Sequence, residues 1–248
     1  MSHDVNKGQP VVEFEGMESL IRDSYLIRWG TPPPGLLQRH EFCGLPRSKN
    51  SICPNCQVPL MRHAGLDLTE PVFGRDLKPL EWLDLLYCWK CNVAHGPFFY
   101  RAQAGGEITI LDYKKGFEDG NSPPDDFPYD DYPGWFPQTP LWLEDLPEDI
   151  QELRLEHYSY EWDDRSDRAR SVSLKAIDSD ASQIGGVPFL WNVPEEPMVC
   201  PICHADMKFF AVFTNENTDP RGFACDGIHV VYEICAGCKV IGVWQEID

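Results

Sequence analysis

Eight cysteines of this chain form four CxxC pairs, and the pairs are themselves paired. Cys53/Cys56 is followed by Cys88/Cys91, and Cys200/Cys203 by Cys235/Cys238, each time after 31 intervening residues. A CxxC turn presents two sulfurs on one side of a short loop, so two such turns together supply four thiolates, the ligand set of a closed tetrahedral zinc site. The leading turn of each quartet is CPxC: Cys53-Pro54-Asn55-Cys56 and Cys200-Pro201-Ile202-Cys203. The spacing predicts two structural zinc ribbons, one in each half of the chain. A catalytic zinc keeps an open position beside three protein ligands, and four thiolates leave none, so the metal is expected to hold structure. A redox CxxC usually opens a helix after a strand, whereas these pairs sit between strand-like segments.

Two cysteines are left over, Cys43 and Cys225, and neither is given a role. His95 and His204 lie close to Cys91 and Cys203 and could replace a thiolate ligand, but complete cysteine quartets make that unnecessary. Gly185-Gly186 lacks the Lys-Ser/Thr continuation of a phosphate-binding loop and reads as a turn. No GxSxG elbow or HExxH helix is present, so no catalytic residue is assigned.

The halves share weaker features besides the cysteines: Gly44-Leu45-Pro46 precedes the first quartet and Gly186-Val187-Pro188 the second. Strands are expected over 207–214, 229–234, 81–87 and 107–111, which are rich in aromatic and β-branched residues or alternate in polarity. Composition changes between the halves. Gly120-Asn121-Ser122-Pro123-Pro124-Asp125-Asp126 opens a stretch dense in Pro, Asp and aromatics where no regular element fits. Pro147-Glu148-Asp149 then starts a short helix expected to end near Tyr158. The organisation expected is residues 1–111 as an N-terminal repeat with the first ribbon, 112–182 as an acidic linker with the helix, and 183–248 as a C-terminal repeat with the second ribbon. The fold class is mainly β (α+β), a duplicated β-rich unit.

Charge narrows the partners. Forty acidic residues face 21 basic ones, for a net charge of −19, and two four-thiolate zinc sites at −2 each would take it to −23. Such a surface repels phosphate backbones, so nucleic acid is disfavoured and a basic protein is the expected partner. The negative charge is dense in the linker, where residues 141–168 hold ten acids against three arginines. Phe127-Pro128-Tyr129-Asp130-Asp131-Tyr132-Pro133-Gly134-Trp135-Phe136 mixes aromatic anchors with acids that would complement Arg and Lys, and reads equally well as a loop covering the core. The start of the chain has no apolar stretch behind a basic segment, no run approaches the length of a membrane helix, and clustered CxxC pairs suit a reducing compartment; the expectation is a cytoplasmic protein.

The second half also carries Gln183-Ile184-Gly185-Gly186-Val187-Pro188-Phe189-Leu190-Trp191, Pro194, Pro197, the Cys200/Cys203 pair and Met207-Lys208-Phe209-Phe210. This order resembles the YwqG-like bacterial family and programmed cell death protein 2, in which a GGxP segment near a Trp precedes a cysteine pair and a hydrophobic strand. The resemblance covers residues 183–248 and, faintly, 42–100. Val212 stands where the family has a Gln after the strand, and the long acidic insert is a further departure. The resemblance implies a duplicated β domain and a protein-handling role, either chaperone-like toward a ribosomal protein or immunity-like toward a toxin. Charge, cysteine spacing and resemblance together give the expected function: a non-enzymatic zinc protein that binds a basic protein. The rival readings are a hydrolase or transferase with a cleft between the halves, and a zinc-ribbon nucleic-acid binder.

Overall fold

The structure is a computed structural model that describes residues 18–54, 57–88, 97–113, 135–159, 166–173, 181–188, 190, 197–214 and 228–247. The described strands are β1 (Tyr25–Trp29), β2 (His40–Phe42), β3 (Met61–Asp67), β4 (Trp82–Tyr87), β5 (Phe98–Ala102), β6 (Ile108–Tyr113), β7 (Thr139–Asp145), β8 (Gln183–Ile184), β9 (Lys208–Thr214), β10 (Ile228–Cys235) and β11 (Val240–Ile247). Helices α1 (Glu148–Ser159) and α2 (Asp167–Ser171) follow β7. The strands form a single antiparallel sheet in the order β4-β3-β2-β7-β1-β8-β9-β10-β11-β5-β6. The fold is mainly β with short helices, as the sequence suggests.

Two segments of this sheet are copies of one another. In β3 and β4 the partners are Met61↔Tyr87, Arg62↔Leu86, Ala64↔Leu85, Gly65↔Asp84, Leu66↔Leu83 and Asp67↔Trp82, with His63 bulged out of register. In β9 and β10 they are Lys208↔Ile234, Phe209↔Glu233, Ala211↔Tyr232, Val212↔Val231, Phe213↔Val230 and Thr214↔His229, with the shift falling at Phe210. Counted from Cys53 and Cys200, every pair and the bulge coincide. The preceding strands match too, Phe42↔Ala64 and Glu41↔Gly65 in one copy against Ile184↔Ala211 and Gln183↔Val212 in the other.

Each of those preceding strands ends in two consecutive left-handed residues, Cys43 and Gly44 (φ 56° and 84°) and Gly185 and Gly186 (φ 72° and 59°). Glycine is required at the last of these because a Cβ there would lie 1.6 Å from the Ser24 Oγ. Gly185-Gly186 is thus a turn, and Cys43 is a buried turn residue whose carbonyl accepts the Arg62 Nε–H at 2.8 Å.

The sheet curls, and the two copies face one another across one core. His63 packs against Phe213 with ring centroids 5.2 Å apart, and Phe210 against Phe73 at 6.2 Å. Phe42, Leu85, Phe210, Tyr232 and Ile234 belong to the same buried cluster. Tyr100 of β5 ties the curl: its hydroxyl donates to the Asp84 carbonyl at 3.0 Å and accepts the Leu86 N–H at 3.1 Å, satisfying two backbone groups of edge strand β4. Burial raises the pKa of that hydroxyl, keeping it a neutral donor.

The expected strands over 207–214, 229–234, 81–87 and 107–111 correspond to β9, β10, β4 and β6, and the expected helix to α1. One element corrects the reading of the middle segment: β7 lies where no regular element was expected, between β2 and β1. Its Pro140 has no N–H to give, but its carbonyl accepts the Gly30 N–H at 3.0 Å. The pairing is dictated by distant strands, a constraint that local composition does not reveal. Gly120 to Asp126 lie outside the described residues, as do Phe127 to Gly134.

Candidate metal centre

The backbone around Cys200 makes the turn that a metal knuckle requires. The Cys200 N–H donates to the Ala205 carbonyl and the His204 N–H to the Cys200 carbonyl, both at 2.9 Å, while the Met207 N–H reaches Met198 O at 2.7 Å. His204 closes the turn in the left-handed region at φ 59°. The residues flanking it form an isolated antiparallel bridge, Val199↔Asp206. The second CxxC, Cys235-Ala236-Gly237-Cys238, is the tight turn from β10 to β11. Its Cys238 carbonyl accepts the Arg101 Nε–H of β5 at 3.1 Å, and Lys239 Nζ donates to the Asp76 carbonyl at 2.7 Å.

These two turns bring four sulfurs together. The Sγ atoms of Cys200, Cys203, Cys235 and Cys238 all lie within 4.8 Å of one another, and Cys203 and Cys235 are 3.6 Å apart. A tetrahedron of sulfurs at about 2.3 Å from a zinc ion has edges of about 3.8 Å, so the donor set and its size fit a four-thiolate metal site. Four sulfurs this close compete for negative charge. The Ala205 N–H and then the neighbouring sulfurs pull the Cys203 thiol down to about 7, whereas Cys203 and then burial push Cys238 up to about 12. Burial raises Cys235. A divalent cation removes that conflict by accepting all four as thiolates. Phe99, Met207 and Val240 pack around Cys200 and Cys235 and shield that side of the cluster.

One residue of the centre was not read from sequence. Glu233 is fully buried, accepts the Met198 N–H at 3.0 Å and the Trp244 Nε1–H at 2.9 Å, and so pins the segment before the Cys200 knuckle to the hairpin bearing Cys235 and Cys238. Burial pushes its carboxyl up to about 7. The available signal was a single acid in the apolar run Val230-Val231-Tyr232-Glu233-Ile234.

Of the N-terminal quartet, Cys53 and Cys88 are buried, and Cys56 and Cys91 lie outside the described residues. The Cys53 knuckle nevertheless repeats the Cys200 knuckle bond for bond. Cys53 N–H donates to Val58 O at 2.8 Å, Gln57 N–H to Cys53 O at 2.9 Å and Leu60 N–H to Ser51 O at 2.8 Å. Gln57 is left-handed at φ 61°, and Ile52 bridges Pro59. His204 is exposed and serves as the turn residue; His95 and Cys225 fall outside the described residues. Trp135 is half exposed at 51% and Phe136 is buried in the main core; the rest of that aromatic and acidic stretch is not described.

Two surface clefts of about 560 and 490 Å3 share a ridge at Pro79, Leu80 and Glu81. Both are lined by residues between Arg47 and Gly106, so neither lies between the halves. Among the described residues, no helix is long and apolar enough to cross a membrane. No family model matches the chain, and no curated protein or solved structure matches it.

Proposed function

We propose that this is a non-enzymatic protein with two structural zinc sites, Cys53/Cys56/Cys88/Cys91 and Cys200/Cys203/Cys235/Cys238, whose acidic β-rich body binds a basic protein in the cytoplasm. The observation that carries the metal reading is the four-sulfur cluster of the C-terminal quartet, with every pair of sulfurs within 4.8 Å. Support for the second site is the matching hydrogen-bond pattern of the Cys53 knuckle together with the equal cysteine spacing. Support for the partner is the net charge of −19, which complements an Arg- or Lys-rich surface and opposes a phosphate backbone. The resemblance to YwqG-like proteins and programmed cell death protein 2 favours a chaperone-like or immunity-like use of that binding.

Native mass spectrometry tests the metal: two zinc ions per folded chain are expected, and a folded protein isolated without metal refutes the reading. Affinity capture at increasing salt tests the partner. The expected result is a basic protein held at low salt and released as screening shortens the range of the attraction. Capture of nucleic acid, or of a protein indifferent to salt, would overturn it.

A further inference from the structure

We infer that Cys203 is an oxidation site: a peroxide oxidises its sulfur, and Cys235 then closes a disulfide with it that dismantles the C-terminal metal centre. The inference rests on the metal reading above and adds a chemistry to it.

The four sulfurs are not equally placed. Cys203 is exposed, whereas Cys200 and Cys235 are 0% and 8% exposed and Cys238 is intermediate. Phe99, Met207 and Val240 pack against Cys200 and Cys235, and among the four sulfur-bearing residues Cys203 is the most exposed, with Cys238 next. Oxidation of cysteine follows thiolate character and access, and metal ligation supplies the first while exposure supplies the second. Hydrogen peroxide is small and uncharged, so the surface charge of −19 does not repel it.

Cys235 stands ready as the resolving sulfur, 3.6 Å from Cys203. It sits on the other turn, at the end of β10. In the first step the Cys203 thiolate attacks one peroxide oxygen, the O–O bond breaks, hydroxide leaves, and a sulfenic acid forms. In the second the Cys235 thiolate attacks the Cys203 sulfur, the S–O bond breaks, and the departing hydroxide is protonated to water. Two thiolates lose two electrons in all, and the peroxide with two protons becomes two waters. A disulfide is about 2.05 Å long, and its sulfurs are no longer thiolate donors, so the centre keeps only Cys200 and Cys238.

The test uses the whole 248-residue chain as purified, its metal content first measured by native mass spectrometry. Hydrogen peroxide is added in small excess, zinc release is followed with a chromogenic chelator, and disulfides are mapped after alkylation of the remaining thiols. A Cys203–Cys235 linked peptide is expected, appearing in step with the loss of one zinc per chain. Cys203→His keeps a nitrogen donor for zinc and removes the exposed sulfur; it should release that zinc about tenfold more slowly. A Cys200–Cys203 link, zinc retained while Cys203 is oxidised, or release from Cys203→His at the wild-type rate would overturn the inference. The mapping in the wild-type chain decides the matter even if the variant does not fold. A protein purified without zinc would refute the metal reading instead, and the Cys203–Cys235 link would still report on the disulfide.

Discussion

The β3–β4 and β9–β10 hairpins have one backbone and two interiors. Arg62 and Phe209 occupy the same position, as do Asp84 and Val231, and Gly65 and Val212. Ser48 and Leu190 lie equally far past the turn glycines Gly44 and Gly186. In the C-terminal copy Leu190, Phe209, Val212 and Val231 form an apolar cluster against Trp244. In the N-terminal copy the same places hold a buried ion network. Arg62, with a fully buried side chain, meets Glu41 at 2.8 Å and Asp84 at 3.3 Å. Asp84 also accepts from Ser48 N–H and Ser48 Oγ, each at 2.7 Å, and from Trp82 Nε1 at 2.8 Å. Gly65 leaves room for the Trp82 ring, which a Cβ would approach to 2.4 Å. A shared register therefore does not require a shared chemistry beneath it. The requirement is only that each buried group be satisfied, by dispersion in one copy and by hydrogen bonds in the other.

If the copies are equivalent as metal sites, removing one ligand should do the same damage in either. Cys53→Ser and Cys200→Ser are each expected to cost a large part of the protein's stability, which for a domain is roughly 5–15 kcal/mol, because metal affinity is folding energy. Denaturant unfolding with zinc analysis checks both. A Cys53→Ser protein as stable as wild type would break the equivalence and confine the metal to the C-terminal copy.

The ion network gives the next largest effect. Asp84→Ala leaves the Arg62 guanidinium buried beside fewer acceptors and should cost about 3–5 kcal/mol. Giving the N-terminal copy the C-terminal residues, Ser48→Leu with Arg62→Phe and Asp84→Val, should recover most of that loss, since a buried ion pair exchanged for packed apolar groups is often neutral. Equal urea midpoints for the single and triple variants would show that the two interiors are not interchangeable.

The same contrast explains what was legible in the sequence. The C-terminal cysteine group could be read because sulfurs that meet at one point on two tight turns leave a local CxxC spacing in the chain. The strands β9 and β10 could be read because their burial is written in aromatic and β-branched runs such as Lys208-Phe209-Phe210-Ala211-Val212-Phe213-Thr214. Strand β3, Met61-Arg62-His63-Ala64-Gly65-Leu66-Asp67, hides the same role behind an arginine, a histidine and a glycine. Their burial is made tolerable by Glu41, Asp84 and Tyr232, residues distant in the chain. Strand β7 was hidden for the same reason, its proline and acids pointing away from a sheet that β1 and β2 nevertheless complete. The identity of register between the copies depends on pairing and could not be read from composition.

The bulge residues sharpen the comparison at a smaller scale, because His63 titrates and Phe210 does not. Burial drives His63 from 6.5 down to about 3, and its Nδ1 lies 2.6 Å from the Tyr232 hydroxyl. The folded value is below the unfolded one, so protonation favours the unfolded chain: stability from this group is intact above pH 6.5 and is lost as pH falls toward 3. The slope is about 1.4 kcal/mol per pH unit, or about 2 kcal/mol at pH 5. Changing His63→Phe together with Tyr232→Phe copies the apolar bulge and removes both partners of the bond, which should flatten this part of the profile. An unchanged slope in urea titrations from pH 7 to 5 would assign the acid sensitivity to other groups.

The smallest expected effect lies in the knuckles, where Gln57 and His204 both adopt left-handed backbone, at φ 61° and 59°. A side chain there is strained by about 1–2 kcal/mol, and glycine relieves that strain at an entropic cost of roughly 0.5–1 kcal/mol. Glycine substitution should therefore stabilise both knuckles by about 0 to 1.5 kcal/mol, a rise of a few degrees or less in Tm. The gains should be unequal. Gln57 Nε2 donates to the Pro54 carbonyl at 2.7 Å, a bond that Gln57→Gly forfeits, whereas His204 is exposed and leaves little behind. His204→Gly is accordingly expected to raise Tm more than Gln57→Gly in paired differential scanning fluorimetry. If His204→Gly lowers Tm instead, the His204 side chain contributes more to the C-terminal metal knuckle than its backbone turn, and the likeness of the two knuckles stops at the main chain.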